Sequence, residues 1–211
     1  MPAKKKTTNA TAKRAVKRNA SGSGQAISTE EGLAAASAIA ELADAQKIRY
    51  ALAGGIAMHL YGFTRATRDV DMIASESLAL RAVRRLTFGG ETYQVKARKK
   101  IIEIDWIVRD DEKKDVYEAA LRDSLRSPIR TPAGLPIIKP EWMVILKKLA
   151  DRGKDHLDLL WLLREEGLVD RRTVQQIVKN IFGRYAYLLL QELESVYLEA
   201  DLLRARDERT E

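Results

Sequence analysis

Two aspartates separated by one valine, in the stretch Arg68-Asp69-Val70-Asp71-Met72-Ile73, are the residues of this chain best placed to do chemistry. The stretch reads as a β-strand, on which residues two apart share a face at about 6–7 Å, so the two carboxylates stand side by side. Like charges at that spacing call for a cation. A hard divalent ion such as Mg²⁺ takes oxygen ligands and keeps positions open for phosphate oxygens. Farther on, Ile101-Ile102-Glu103-Ile104-Asp105-Trp106 alternates, placing Ile102, Ile104 and Trp106 on one face and Glu103 and Asp105 on the other. An acid on that polar face beside Asp69 and Asp71 completes a three-carboxylate, two-ion metal site, with Asp105 the expected third ligand and Glu103 the reserve. Gly54-Gly55 sits where an apolar strand stops and a short helix starts, so bare N–H groups and the positive end of a helix dipole can meet an anion with no Cβ in the way. A segment with a phosphate cradle at one end and metal-binding carboxylates at the other suits phosphoryl or nucleotidyl transfer. Singly, each half has a plain alternative: the glycine pair as a turn, the Asp-x-Asp as a solvated strand end.

The elements that must position these residues follow from pattern. Ser28 or Thr29 with Glu31 starts a helix running to about Lys47. "YALA" is a short strand stopped by the glycine pair, and "IAMHLYG" is two helical turns closed by Gly62. "RDVDMIA" is the next strand, and "ESLALRAVRRL" is expected to be a helix with Leu78, Ala82, Val83 and Leu86 on one face. "TYQVKA" and "KIIEIDWIV" are strands separated by the basic turn Arg98-Lys99-Lys100, and Gly89-Gly90 before them is a turn. A helix over "DEKKDVYEAALRDSL" and two proline-limited strands in "SPIRTPAGLPIIK" precede a run of amphipathic helices from Pro140, punctuated by Gly153, Gly167 and Gly183. The expected fold class is α/β (α+β), a small mixed sheet with a C-terminal helical bundle. Its expected parts are a disordered basic tail at 1–24, a sheet-bearing domain at 25–139 and a helical region at 140–205.

The totals narrow the function classes. The net charge of +7 is localised: residues 1–24 carry seven lysines and arginines and no acid, and the rest balances thirty basic against thirty acidic residues. A body without net charge gives no support to a broad nucleic-acid-binding face, while the tail suits solubility or a few phosphate contacts to RNA or DNA. With no cysteine there is no disulfide and no thiolate site. No apolar run reaches the roughly 20 residues of a membrane helix, and no apolar segment follows the N-terminal lysines. The expectation is a cytoplasmic protein without a membrane partner.

Taken together, Gly-Gly, thirteen residues, then Asp-Val-Asp resembles the signature of the DNA polymerase β-like nucleotidyltransferase superfamily. The form "GGIAMHLYGFTRATRDVDMI" looks most like the abortive-infection E toxin branch of type IV toxin–antitoxin systems, where Arg-x-Thr-x-Asp-x-Asp matches Arg65, Thr67, Asp69 and Asp71. "LKKLADRGKDHLDL" is similar to that branch's helical segment, through Lys147, Arg152, Lys154, Asp155 and Asp158. The resemblance implies a nucleotidyltransferase fold and transfer of a nucleoside monophosphate from an NTP. It implies Mg²⁺ held by Asp69, Asp71 and Asp105, with Asp105 deprotonating or orienting the attacking hydroxyl. Gly54, Gly55 and Thr67 would hold the nucleotide, Arg65 or Lys147 would neutralise its phosphates, and Asp155 would be a further active-site residue. Acceptors that suit such a protein are a tRNA 3′ end, a protein side chain or a small molecule, and the implied partner is a cognate antitoxin. Alternatives are a nucleotidyltransferase-fold antitoxin that modifies a partner protein and an inactive nucleotide- or RNA-binding module.

Several of these residues have plainer readings. Arg65 and Arg68 can solvate a loop, Thr67 can cap the turn into its strand, Lys147 can face solvent or yield its place to Lys148, and Asp155 and Asp158 can cap or decorate their helix. His59 and His156 read as packed or surface histidines, and Trp106, Trp142 and Trp161 as core.

Overall fold

The computed structural model describes residues 25–209; the expected basic tail lies outside the described residues. A capping box opens the first helix, α1 (Thr29–Ala45): Glu31 N–H donates to Ser28 Oγ at 3.1 Å, and Ser28 N–H donates to Glu31 Oε2 at 2.9 Å. The buried stripe of α1 is built from Ala35, Ala36, Ile39, Ala40 and Ala43, small enough for close packing on a sheet. Strand β1 (Tyr50–Ala53) runs into α2 (Gly54–Leu60), and β2 (Asp69–Ala74) follows. Then come β3 (Arg84–Arg85), β4 (Gly90–Ala97), β5 (Lys100–Ile107), α3 (Lys114–Arg126), β6 (Ile129–Arg130) and β7 (Pro136–Ile137). Four helices complete the chain: α4 (Pro140–Ala150), α5 (Gly153–Arg164), α6 (Arg171–Phe182) and α7 (Ala186–Asp207). None of the helices is long and apolar enough to cross a membrane among the described residues.

The seven strands form one mixed sheet in the order β3-β4-β5-β2-β1-β7-β6. Strand β2 is antiparallel to β1 and parallel to β5, and β4 is antiparallel to both β5 and β3. Val70, Met72, Ile104 and Trp106 are buried on the core face, against which α1 packs. Burying these side chains removes apolar surface worth roughly 1.5–3 kcal/mol each for the aliphatic residues. On β5 the expected alternation holds, with Glu103 and Asp105 on the opposite, part-exposed face. Helices α4 to α7 pack on one another as the expected helical bundle. The mixed α/β architecture is therefore the one the periodicities predict.

Two details differ. Residues 75–86 are not a helix: the backbone of Val83 donates to Thr92 O at 2.8 Å and that of Leu86 to Gly90 O at 2.9 Å, making the edge strand β3. Tertiary pairing with β4, through a turn in which Gly89 and Gly90 both have positive φ, overrides a weak 3.6-residue period. Val83 is left exposed instead of sharing a buried face with Leu78. The break between α4 and α5 is made by Asp151 in the left-handed conformation, φ 49°, with Gly153 serving as the first residue of α5.

Candidate active site

Register decides which acids meet. Asp71 pairs across the sheet with Asp105, and Asp69 pairs with Glu103, so Asp69, Asp71, Glu103 and Asp105 share one face of two adjoining parallel strands. The same row continues outward: Asp105 pairs with Thr92 on β4, and Thr92 with Arg84 on β3. Thr92 Oγ1 donates to Asp105 Oδ1 at 2.6 Å, and Arg84 reaches Asp105 at 3.3 Å and Glu103 at 3.4 Å.

The glycine pair is packed against these acids. A Cβ on Gly54, whose φ is +60°, would lie 1.7 Å from Asp71 Oδ2, and one on Gly55 would lie 2.5 Å from Thr67 Oγ1. Both glycines are thus required sterically, because the carboxylate of Asp71 and the hydroxyl of Thr67 fill the space that a side chain would take. Thr67 is buried, and its hydroxyl is 3.3 Å from both the backbone O and Oδ1 of Asp69, at the turn into β2.

The carboxyl of Asp71 is pushed up to about 6 by burial, by the charge of Asp69 and by that of Asp105, against the lowering influence of Lys147 and Lys154. It makes no hydrogen bond or ion pair among the described residues. Asp71, between Asp69 and Asp105, is therefore short of positive charge, which is the donor chemistry a divalent cation fits. As they stand, no three acidic or imidazole side chains among the described residues converge into a formed metal site. Cross-strand neighbours lie about 4.8 Å apart, which sets Asp71 and Asp105 side by side on adjoining strands.

The opposite wall is a buried ion-pair network. Asp155 and Asp158 of α5 are both 0% exposed and Lys147 of α4 only 6%. Arg65 forks onto Asp158 with Nε–Oδ1 at 2.6 Å and Nη2–Oδ2 at 2.9 Å, while Lys147 Nζ reaches Asp158 at 2.5 Å and Asp155 at 3.0 Å. Arg152 completes the chain on Asp155 through Nε at 2.5 Å and Nη2 at 3.2 Å. Burial raises the Asp155 carboxyl, but the hydrogen bonds from Arg152 and Lys147 outweigh it and hold the group below its ordinary range. The reading of Asp158 as a helix cap or surface decoration is corrected: it anchors the loop before β2 to α4 and α5. Arg65 and Lys147, the expected phosphate neutralisers, are both engaged with acids. Lys154, quoted above only as part of a motif, lines the cleft exposed and makes no ion pair among the described residues.

These walls enclose a cleft of about 60 Å³ lined by Gly54, Thr67, Asp69, Asp71, Lys147 and Lys154, among others. That volume holds ions and a few waters. His59 stands behind the wall: its Nε2 donates to Arg65 O at 2.6 Å, which leaves Nδ1 to accept from Thr29 Oγ1 at 2.9 Å. His156 pairs with Glu199 at 3.0 Å on the surface. Trp106 and Trp142 are core, whereas Trp161 is part-buried and stacks on Phe63 at 5.2 Å.

No protein-family model matches the chain, and no curated protein matches it. Among solved structures, the chain is similar to the crystal structure of an antigenic nucleotidyltransferase-like protein from Paracoccidioides brasiliensis. Identity is 16% over 82% of this chain and 94% of that one, and the TM-score is 0.45. It is also similar to the solution structure of the antibiotic-resistance factor ANT(2'')-Ia, at 13% identity over 80% of this chain and all of that one, with a TM-score of 0.42. Neither likeness assigns a residue its role.

Proposed function

We propose that this chain is a Mg²⁺-dependent nucleotidyltransferase that moves a nucleoside monophosphate from an NTP to an acceptor hydroxyl and releases pyrophosphate. The observation that carries the reading is the cross-strand pairing of Asp71 with Asp105, with Asp69 two residues away and Asp71 left without a protein partner at the floor of a cleft opened by Gly54. Asp69, Asp71 and Asp105 would hold Mg²⁺, which when bound supplies positive charge to the phosphate and attacking oxygens. Lys154 faces the cleft as a cation for phosphate. The start of α2 at Gly54-Gly55 offers backbone N–H groups to the same anion. Lys147, Arg65 and Arg152 keep Asp155 and Asp158 neutralised, so that those acids do not repel it. In the transfer step the acceptor oxygen bonds to the α-phosphorus as the bond from that phosphorus to the α–β bridging oxygen breaks. Pyrophosphate leaves with the electron pair, and the acceptor's proton is lost to solvent, while Oδ2 of Asp105, the oxygen that Thr92 and Arg84 leave open, is kept for the metal.

The toxin-like role, the tRNA 3′ end as first acceptor and the cognate antitoxin belong to this proposal on the strength of the sequence motifs. The test is transfer of label from each of four α-labelled NTPs, with Mg²⁺, onto total tRNA and total protein. Label on either pool that falls about a thousandfold in Asp69→Ala/Asp71→Ala, with folding retained, supports the reading, since metal-borne charge is worth several kcal/mol. Nucleotide binding with no transfer to tRNA, protein or small-molecule acceptors overturns it in favour of a binding module.

A further inference from the structure

We infer that Arg84 and Thr92, on the β3–β4 hairpin, are positioning residues that hold Asp105 ready for a divalent cation. The inference rests on the metal-site reading above and extends the site by two strands. Four side chains lie in one cross-sheet row, Arg84, Thr92, Asp105 and Asp71, each paired directly with the next. Within that row the hydrogen bonds run in one direction. Arg84 Nε donates to Thr92 Oγ1 at 3.0 Å, and Thr92 Oγ1 donates to Asp105 Oδ1 at 2.6 Å. A hydroxyl has one proton to give, and the guanidinium, which can only donate, occupies its acceptor side, so the threonine proton is committed to Asp105. Thr92 is fully buried on β4, between β3 and β5, and is not free to turn elsewhere. Arg84 Nη2 adds a second tether to Asp105 Oδ1 at 3.3 Å and also reaches Glu103 Oε2 at 3.4 Å, holding the neighbouring acid on the same guanidinium.

Every one of these contacts to Asp105 falls on Oδ1. Oδ2 is thereby left without a side-chain partner among the described residues, on the strand that adjoins Asp71. A carboxylate anchored by one oxygen keeps its orientation and offers the other at lower entropic cost, as hydrogen-bonded partners behind metal ligands do. Arg84 is itself half exposed, with 53% of its side chain accessible, so its contribution is expected to be the smaller of the two.

The test is Mn²⁺ binding, followed by titration calorimetry and by electron paramagnetic resonance of the free ion, on the full chain without nucleotide. The variants are Asp71→Asn, Thr92→Val, Thr92→Ser and Arg84→Ala, each with a thermal melt. Thr92→Val is expected to weaken Mn²⁺ binding about tenfold, Thr92→Ser to restore it to about the wild-type value, and Arg84→Ala to weaken it about two- to fivefold. Unchanged binding in Thr92→Val overturns the inference. So does tighter binding in Arg84→Ala, which would make Arg84 a competing counter-charge. Should Thr92→Val fail to fold, Arg84→Ala, an exposed edge substitution, decides alone. If wild type binds no Mn²⁺, or Asp71→Asn binds it as well as wild type, the metal-site reading falls and takes this inference with it.

Discussion

Asp155 and Asp158 on one wall of the cleft are completely buried, and each is held by a lysine and an arginine of the chain itself. Asp71 on the other wall is flanked by Asp69 and Asp105 and has no such partner, so its carboxyl is pushed up to about 6. Aspartates of β2 and of α5 thus flank one cleft under opposite electrostatics. The helical pair is satisfied by folding and ties α5 and α4 to the loop before β2. On the strand side Asp71 has no ion-pair partner among the described residues, while Asp105 is reached by Arg84. A buried, paired carboxylate is a structural fixture whose removal strands its partners, whereas an unpaired one among like charges is a cost to the fold.

The largest expected effect comes from breaking the satisfied side. Asp158→Ala takes from Arg65 its carboxylate partner and from Lys147 one of its two, and should cost about 3–5 kcal/mol in urea unfolding. A cost below about 1 kcal/mol would show that the helical acids are not structural. Next is Gly54→Ala, whose new Cβ would stand 1.7 Å from Asp71 Oδ2 in a left-handed backbone. It should destabilise by about 1–3 kcal/mol and displace the carboxylate, with loss of Mn²⁺ binding as the second readout.

The strand side should respond in the opposite sense. With its carboxyl near 6 in the fold against an ordinary value of 3.8, the stability that Asp71 lends is complete below about pH 4 and is lost as pH rises through about 6. In metal-free protein, Asp71→Asn should therefore raise stability by about 1–2 kcal/mol at pH 8 and change little at pH 4. That is less than the roughly 3 kcal/mol that two pKa units represent, because the cleft is open to solvent. Thermal melts at the two pH values check it, and destabilisation at pH 8 would place Asp71 with the satisfied acids. Smallest is Lys154→Ala. Removing the lesser of the two cations that lower the Asp71 carboxyl should move that stability transition upward by a fraction of a pH unit.

Local signals were enough for the first helix with its Ser28–Glu31 box, for β1, α2, β2, β4 and β5, and for the helical C-terminal region, because period and capping act over a few residues. They failed at residues 75–86, where a helical period lost to pairing with β4. The site divides in the same way. Asp69, Asp71, Asp105 and the glycine pair could be singled out from spacing and alternation, since both are properties of neighbouring residues. That Gly54 makes room for Asp71, that Asp158 is buried between Arg65 and Lys147, and that Thr92 and Arg84 stand behind Asp105 depend on residues between 8 and 93 positions apart. Types and local spacing were thus the sequence's own contribution. Which acids acquire counter-charges and which are left without one was decided only by strand register and helix packing, because charge compensation depends on distance in space and not along the chain.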